Sequence, residues 1–206
     1  MEEKESIILE NVRQIFMRYG IKSVTMDDIS RELKISKKTL YKFVVDKPEL
    51  VAKVMQEKCS CDQKDITEIV KKSKNAIDEL MNVTQYVGKT VKEIHPSIHY
   101  DLEKYYPEAW LAFDKHKKSF VYSCIASNLK RGIKEGLYRD NMHVDVIARI
   151  FIGRIDMVFD ADIFPPGQFN FGDVHLELMR YHIRGIASEK GIKYLLDKLK
   201  NEKIKF

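Results

Sequence analysis

Thr25-Met26-Asp27-Asp28-Ile29-Ser30-Arg31-Glu32-Leu33, then Lys34-Ile35, then Ser36-Lys37-Lys38-Thr39-Leu40-Tyr41-Lys42-Phe43 is the stretch that decides how this chain folds. The Thr25 hydroxyl can accept from the start of a helix while Asp28, three residues on, reaches back, which is capping-box spacing. Ile29 and Leu33, four apart, then face the same side. After only Lys34 and Ile35, Ser36 supplies a second N-cap side chain and opens a short segment over Lys37–Phe43, with Leu40 directed to the core. Two short helices joined by a tight turn make helix-turn-helix geometry, in which the second helix enters the major groove of DNA.

Outward from this stretch the chain is helical throughout. Ile8, Val12, Ile15, Phe16 and Tyr19 give a preceding helix one apolar face, and Gly20 is suited to end it. Asp46, Lys47, Pro48 and Glu49 read as the start of a fourth helix through Leu50, Val51, Val54 and Met55. Ile66, Ile69, Val70, Ile77, Leu80, Met81, Val87 and Val91 predict one long amphipathic helix that fails near His95-Pro96. A helix is expected from Pro107 to Gly136 with Leu137 closing a Schellman contact, another over Val144 to Phe159, a loop at Phe164-Pro165-Pro166-Gly167, a helix from Val174 to Ile186 and a short last one from Ile192 to Leu199. Alternation of strand length is hard to find, so the expected class is all-α.

Composition agrees with a folded chain. Of 206 residues 44% are hydrophobic and 33% charged, a globular balance rather than a disordered one. No apolar run approaches the roughly eighteen residues of a membrane span, and Glu2, Glu3, Lys4, Glu5 and Glu10 stand where a signal peptide would be apolar, so a cytoplasmic protein is expected. Cys59, Cys61 and Cys124 have no CxxC spacing and read as reduced thiols. Net charge is only +5, but Lys34, Lys37, Lys38, Lys42 and Lys47 stand against Asp46 alone in the span they define. A lysine cluster by itself is most often a solvated face. On a second helix behind a tight turn, Lys37, Lys38 and Lys42 are placed for phosphate or guanine, Thr39 for a hydrogen bond or a thymine methyl, and Tyr41 for phosphate.

The segment from Thr25 to Leu33, then Ile35 to Tyr41, then Lys47-Pro48-Glu49-Leu50, resembles the N-terminal signature of TetR-type (TetR/AcrR) transcriptional regulators. The resemblance covers about the first quarter of the chain. It implies a three-helix DNA-binding domain over residues 1–50 and a helical effector-binding and dimerisation domain over 51–206. It also implies that Thr25 caps helix two and touches phosphate, that Thr39 and Tyr41 are recognition-helix positions, and that Lys47 brings the start of helix four to the DNA backbone; Ser36, the N-cap of that helix, is a further DNA-binding candidate. Two positions depart from the pattern. Lys34 stands where the family often has a turn glycine, a strain of roughly 1 kcal/mol if that position is left-handed. The family's Tyr-x-x-Phe ends here in Val44, with the aromatic one place earlier at Phe43, which predicts shifted packing under the recognition helix.

What the resemblance implies for the remainder is a homodimer whose affinity for a double-stranded operator responds to a small-molecule effector. Tyr86, His99, Tyr100, Trp110, Phe113, Phe120 and Phe151 are the candidate pocket residues, with plain core as the alternative for each. The helix over Val144 to Phe159 is apolar on more than one face, so Ile147, Phe151, Ile155 and Val158, with Met179, Ile183 and Ile186 of the next long helix, are candidates for the dimer interface, again with simple burial as the alternative. His95 and His99 are four apart and His175 and His182 seven apart, but Pro96 interrupts the first pair, and neither a metal nor a cofactor is expected. A helical enzyme is the rival class, without a Gly-rich phosphate loop, HExxH, GxSxG or CxxC to support it. A helical interaction module without DNA binding is the other.

Overall fold

The computed structural model describes residues 2–202. Among these the helices are α1 (Glu2–Tyr19), α2 (Met26–Glu32), α3 (Lys37–Leu40), α4 (Lys47–Lys72), α5 (Ala76–Glu93), α6 (Ile98–Tyr105), α7 (Pro107–His116), α8 (Tyr122–Lys134), α9 (Val144–Met157), α10 (Phe171–Ile186) and α11 (Glu189–Glu202), with a π-helical turn at Lys117–Val121 between α7 and α8. The all-α expectation holds.

Local chemistry accounts for most of the boundaries. Gly20 ends α1 at φ +81°. A side chain there would also strike Ser97 Oγ, 2.7 Å from the added carbon, so both backbone and space require glycine. Thr25 and Asp28 form the capping box as read, and Asp46 Oδ1 accepts from the Glu49 amide at 2.9 Å. α8 closes in a Schellman motif: Gly136 lies at φ +69°, its N–H donates to Ile133 O at 3.0 Å, and the Leu137 N–H donates to Gly132 O at 2.9 Å.

Two long helices foreseen from apolar periodicity are broken. The one expected from Ile66 to Val91 stops at Lys72. Asn75 restarts the chain, its Oδ1 accepting from the amides of Ile77 and Asp78 at 3.0 and 2.9 Å, an N-cap that apolar spacing does not register. The run from Pro107 to Gly136 is interrupted by the π turn, and α6, a short helix before Pro107, was not foreseen.

By packing, the chain divides into two compact units, one of residues up to Lys64 with Glu93–Lys117, the other of Asp65–Lys92 with Lys118 onward. This division crosses α4 at Lys64, further along the same helix than residue 50, and it places α6 and α7 in the unit that carries the helix-turn-helix. The first core is built from Val12, Phe16, Ile29, Leu40, Val44 and Leu50 with Ile98, Leu102 and Ala109. The second is built from Ile77, Leu80, Met81, Leu129, Phe151, Ile152, Met179, Ile183 and Leu195.

In the second unit a polar network closes the start of α5. Tyr138 Oη donates to Ala76 O and Asn128 Oδ1, both at 3.0 Å, Asn128 Nδ2 reaches Ala76 O at 2.9 Å, and Glu135 accepts from the Ala76 amide at 2.8 Å. Arg131 joins buried Glu79 at 2.9 Å. The Tyr138 ring lies where a Cβ on Gly132 would stand, 2.0 Å away, so glycine is required there by close approach.

Candidate nucleic-acid interface

α2 and α3 are joined by a turn whose sharpest residue is Lys34, at φ +55°. The left-handed conformation suspected from the missing glycine is therefore present. The turn is held by Lys34 N–H to Arg31 O at 3.1 Å and Ile35 N–H to Ser30 O at 3.0 Å. Ser36 caps α3, its Oγ accepting from the Thr39 amide at 3.1 Å. α3 is shorter than expected, ending at Leu40 with Tyr41 as its C-cap, because the chain turns to bury Val44. Val44 is fully in the core while Phe43 is only partly covered, so the shift of the aromatic leaves a smaller side chain at the buried position.

Leu40 anchors α3 from beneath with no exposed surface, which turns the remaining residues outward. Lys37, Lys38 and Lys42 are exposed, as is Tyr41, at 48%. Lys37 is paired with Asp27 of α2 at 2.5 Å. No acid pairs with Lys38 or Lys42 among the described residues. Thr39 is half-buried and shares a hydrogen bond with Ser36 at 2.8 Å, so its hydroxyl is partly committed within the turn. Thr25 Oγ1 bonds Asp28 Oδ2 at 2.6 Å, and that bond, the Thr25 amide and Arg31 hold the Asp28 carboxyl below its ordinary range. Val45, directly after the recognition segment and 81% exposed, is a further apolar group on this side that charge-based reading missed.

Lys47 makes its contacts within the chain. Its Nζ donates to Ile21 O at 2.7 Å and approaches Lys22 O at 3.4 Å, and burial pulls its pKa down. It ties the start of α4 to the loop between α1 and α2. α6 braces the same loop: Asp101 Oδ2 accepts from the Lys22 amide and from Ser97 Oγ, each at 3.0 Å, and the Lys22 ammonium sits 4.1 Å from the centre of the Tyr105 ring. A carboxylate in a helix of unforeseen position left no sequence signal for this brace.

Of the aromatic pocket candidates, the structure gathers three. His99 meets Trp110 edge-on at 4.9 Å between ring centres, and Trp110 meets Phe113 at 5.7 Å, all in the first unit. Tyr100 is exposed and bonded to Lys104. Tyr86 bonds Asp65 at 2.9 Å, Phe120 lies in the π turn, and Phe151 belongs to the second core. Of the dimer candidates, Phe151, Val158, Met179, Ile183 and Ile186 are buried in this chain's own core, while Ile147 and Ile155 are partly buried and packed against it. Among the described residues no three His, Cys, Asp or Glu side chains converge as a metal set, and no helix is long and apolar enough to cross a membrane.

A capped helix, a left-handed turn and an outward lysine-bearing segment define a helix-turn-helix. Residues 8–54 match the family described as bacterial regulatory proteins, tetR family, so the chain is similar to that family over its helix-turn-helix and the start of α4. It is 25% identical over 171 residues to an uncharacterized HTH-type transcriptional regulator of Bacillus subtilis, YvaF, covering 82% of this chain and 88% of that one. A TetR-family regulator from Agrobacterium tumefaciens has the same fold, with a TM-score of 0.73 at 17% identity over 91% of this chain and all of that one (100%). So does the regulator FadR from Bacillus subtilis, solved with stearoyl-CoA, with a TM-score of 0.66 at 15% identity over 87% and 97% of the two chains.

Proposed function

We propose that this protein is a cytoplasmic homodimeric repressor that grips a double-stranded operator through α3 and is released by a small-molecule effector. The observation that carries the DNA reading is the segment from α3 to Lys42, with Leu40 buried beneath and Lys38, Tyr41 and Lys42 outward, Lys38 and Lys42 without acid partners among the described residues. Lysines of this kind neutralise phosphates and release counterions, so affinity falls with salt. The Thr25 and Ser36 hydroxyls and Lys47 border the same surface; Lys47 has already given donors to carbonyls, so its part is chiefly to hold the loop that meets the backbone.

The reading of effector release rests on the arrangement inside the first unit. The His99, Trp110 and Phe113 cluster lies on α6 and α7, and α6 is tied to the helix-turn-helix loop by Asp101. A ligand that moves α6 thereby acts on the DNA head. The same fold in a regulator solved with stearoyl-CoA supports a small-molecule ligand here. To loosen DNA a hundredfold, the effector must prefer the non-binding arrangement by roughly 2.7 kcal/mol, and DNA must weaken the effector equally.

A dimer contact is carried by the outer faces of α9 and α10. Val146, Ile150 and Gly153 line one side of α9 at helical spacing, with Ile150 59% exposed, and Tyr181 of α10 is 78% exposed.

The deciding experiment is a gel shift against the DNA upstream of the protein's own gene. Specific binding is expected, with Lys38→Ala and Lys42→Ala each lowering the slope of log affinity against log salt by about 1 while the protein stays folded. An unchanged slope in the double variant removes α3 from the interface, and no specific binding leaves a helical interaction protein.

A further inference from the structure

The second unit contains an arginine without an acid. Arg154 of α9 is mostly withdrawn from solvent, and the partners it finds are the Leu178 carbonyl at 3.2 Å, the Met179 sulfur at 3.6 Å and the face of the Phe151 ring, 4.2 Å from the guanidinium carbon. A guanidinium has five N–H donors in a planar fork. One carbonyl and one weakly accepting sulfur leave most of that fork unanswered, and no carboxylate pairs with it among the described residues. An unpaired buried charge is disfavoured enough that such groups are normally matched by an anion.

The surroundings are arranged for one. His182 of α10 is buried with its ring edge-on to Phe151 at 5.0 Å. His175, also on α10, hydrogen-bonds the Thr84 backbone of α5 and keeps a buried Nε2 with no partner. On the α5 side Gly88 presents no side chain, and a carbon added there would still be 3.9 Å from His175. Burial and the Arg154 charge hold both imidazoles neutral, pulled down to about 4 for His175 and about 3 for His182. Arg154 is itself brought to about 10 by burial. A guanidinium with unanswered donors, an unpartnered imidazole nitrogen and apolar side chains, beside a glycine of the neighbouring helix, are ingredients of a small-molecule site.

We propose that Arg154 anchors the anionic head of a small carboxylate ligand between α5, α9 and α10, the guanidinium fork taking both carboxylate oxygens while Phe151 and Met179 pack beside it. This rests on the reading of the protein as a ligand-responsive regulator and names the chemical class of a ligand bound in the second unit, apart from the aromatic cluster of α6 and α7. It differs from the sequence-derived pocket, in which Arg154, His175 and His182 had no part and the aromatic cluster of α6 and α7 was central.

The test uses the full-length protein and two probes of equal chain length, octanoate and octan-1-ol, with benzoate as a rigid carboxylate and inorganic phosphate as an anion without an apolar part, each followed by calorimetric titration. Octanoate or benzoate should bind, octanoate at least roughly tenfold tighter than octan-1-ol. Arg154→Met should abolish that preference with little effect on the alcohol, and Arg154→Lys should retain part of it. The comparison of acid with alcohol on the unaltered protein needs no variant, so it stands even where Arg154→Met fails to fold. Equal affinity for acid and alcohol, an undiminished octanoate affinity in folded Arg154→Met, binding of phosphate alone with no gain from the apolar chain, or failure of both carboxylates to bind each overturns the proposal. Gel shifts on the same samples separate the two readings: loss of carboxylate preference with intact operator binding overturns only the anion site, whereas carboxylate binding without any operator binding upholds the site and overturns the regulator.

Discussion

Lys34 holds a conformation that costs an L-residue about 1 kcal/mol or more, in a turn held by backbone hydrogen bonds to Arg31 and Ser30. Glycine enters this region freely but gives up more freedom on folding. Lys34→Gly should therefore stabilise the protein by about 0.5–1 kcal/mol in urea unfolding, the strain relieved minus the extra entropy lost. Because the ammonium is also removed, the same variant will show whether position 34 touches DNA: a fall in operator affinity with a gain in stability assigns it a phosphate contact. His175 and His182 give the residue scale a pH signature. Their ordinary value is 6.5, and in the fold they lie near 4 and 3. Below about pH 6 the unfolded chain takes up protons that the folded chain refuses, so stability falls as pH drops, by about 1.4 kcal/mol per unit for each ring, until the folded values are reached. Thermal melts between pH 7 and pH 4 should show this loss. His182→Phe should remove about half of the slope, and an unchanged slope would mean that other groups carry it.

At the scale of elements, close approach matters more than propensity. α8 can lie beside Tyr138 only because Gly132 has no side chain, and Tyr138 in turn completes the bonds at the start of α5. Gly132→Ala raises helix propensity, which alone would stabilise, yet the clash forces the ring away. A net loss of about 1–3 kcal/mol is expected, accompanied by faster hydrogen exchange at Ala76 and Ile77; a stabilised Gly132→Ala would show that the ring can move without cost. The opposite case is the capping of α2, where Thr25 and Asp28 act locally. Both residues and their spacing could be read directly from the chain, because a capping box involves neighbours three residues apart and no tertiary contact.

For the whole molecule, the decisive surface is the one left outside both cores. Val146, Ile150 and Tyr181 expose apolar area that a monomer gains nothing from showing to water. Sedimentation should find a dimer at micromolar concentration, and Ile150→Asp should shift it towards monomer and weaken operator binding, since the two half-sites are then read by separate molecules. Ile155→Asp, by contrast, places a charge against the chain's own core and should lower stability itself. Monomeric wild type, or a fully dimeric Ile150→Asp, would exclude this face.

The amino-acid sequence by itself determined the helical class, the helix-turn-helix and its two caps, the left-handed position at Lys34, and the closing of α8 at Gly136. Each depends on residues within a few positions of one another, whose chemistry acts at short range. Only the tertiary structure decided where periodic stretches break, at Asn75 and at the π turn, and which stripe of α9 faces inward. Apolar periodicity marks a helix as buried without saying against what, so Ile147, Phe151 and Ile155 were as eligible for a partner chain as for the core they join, while Val146 and Ile150 stayed outside. The contacts of Asp101 with the Lys22 amide and of Arg154 with its acid-free surroundings join residues far apart in the chain, with no spacing rule to announce them; they exist because packing brings α6 to the helix-turn-helix loop and α10 to α9.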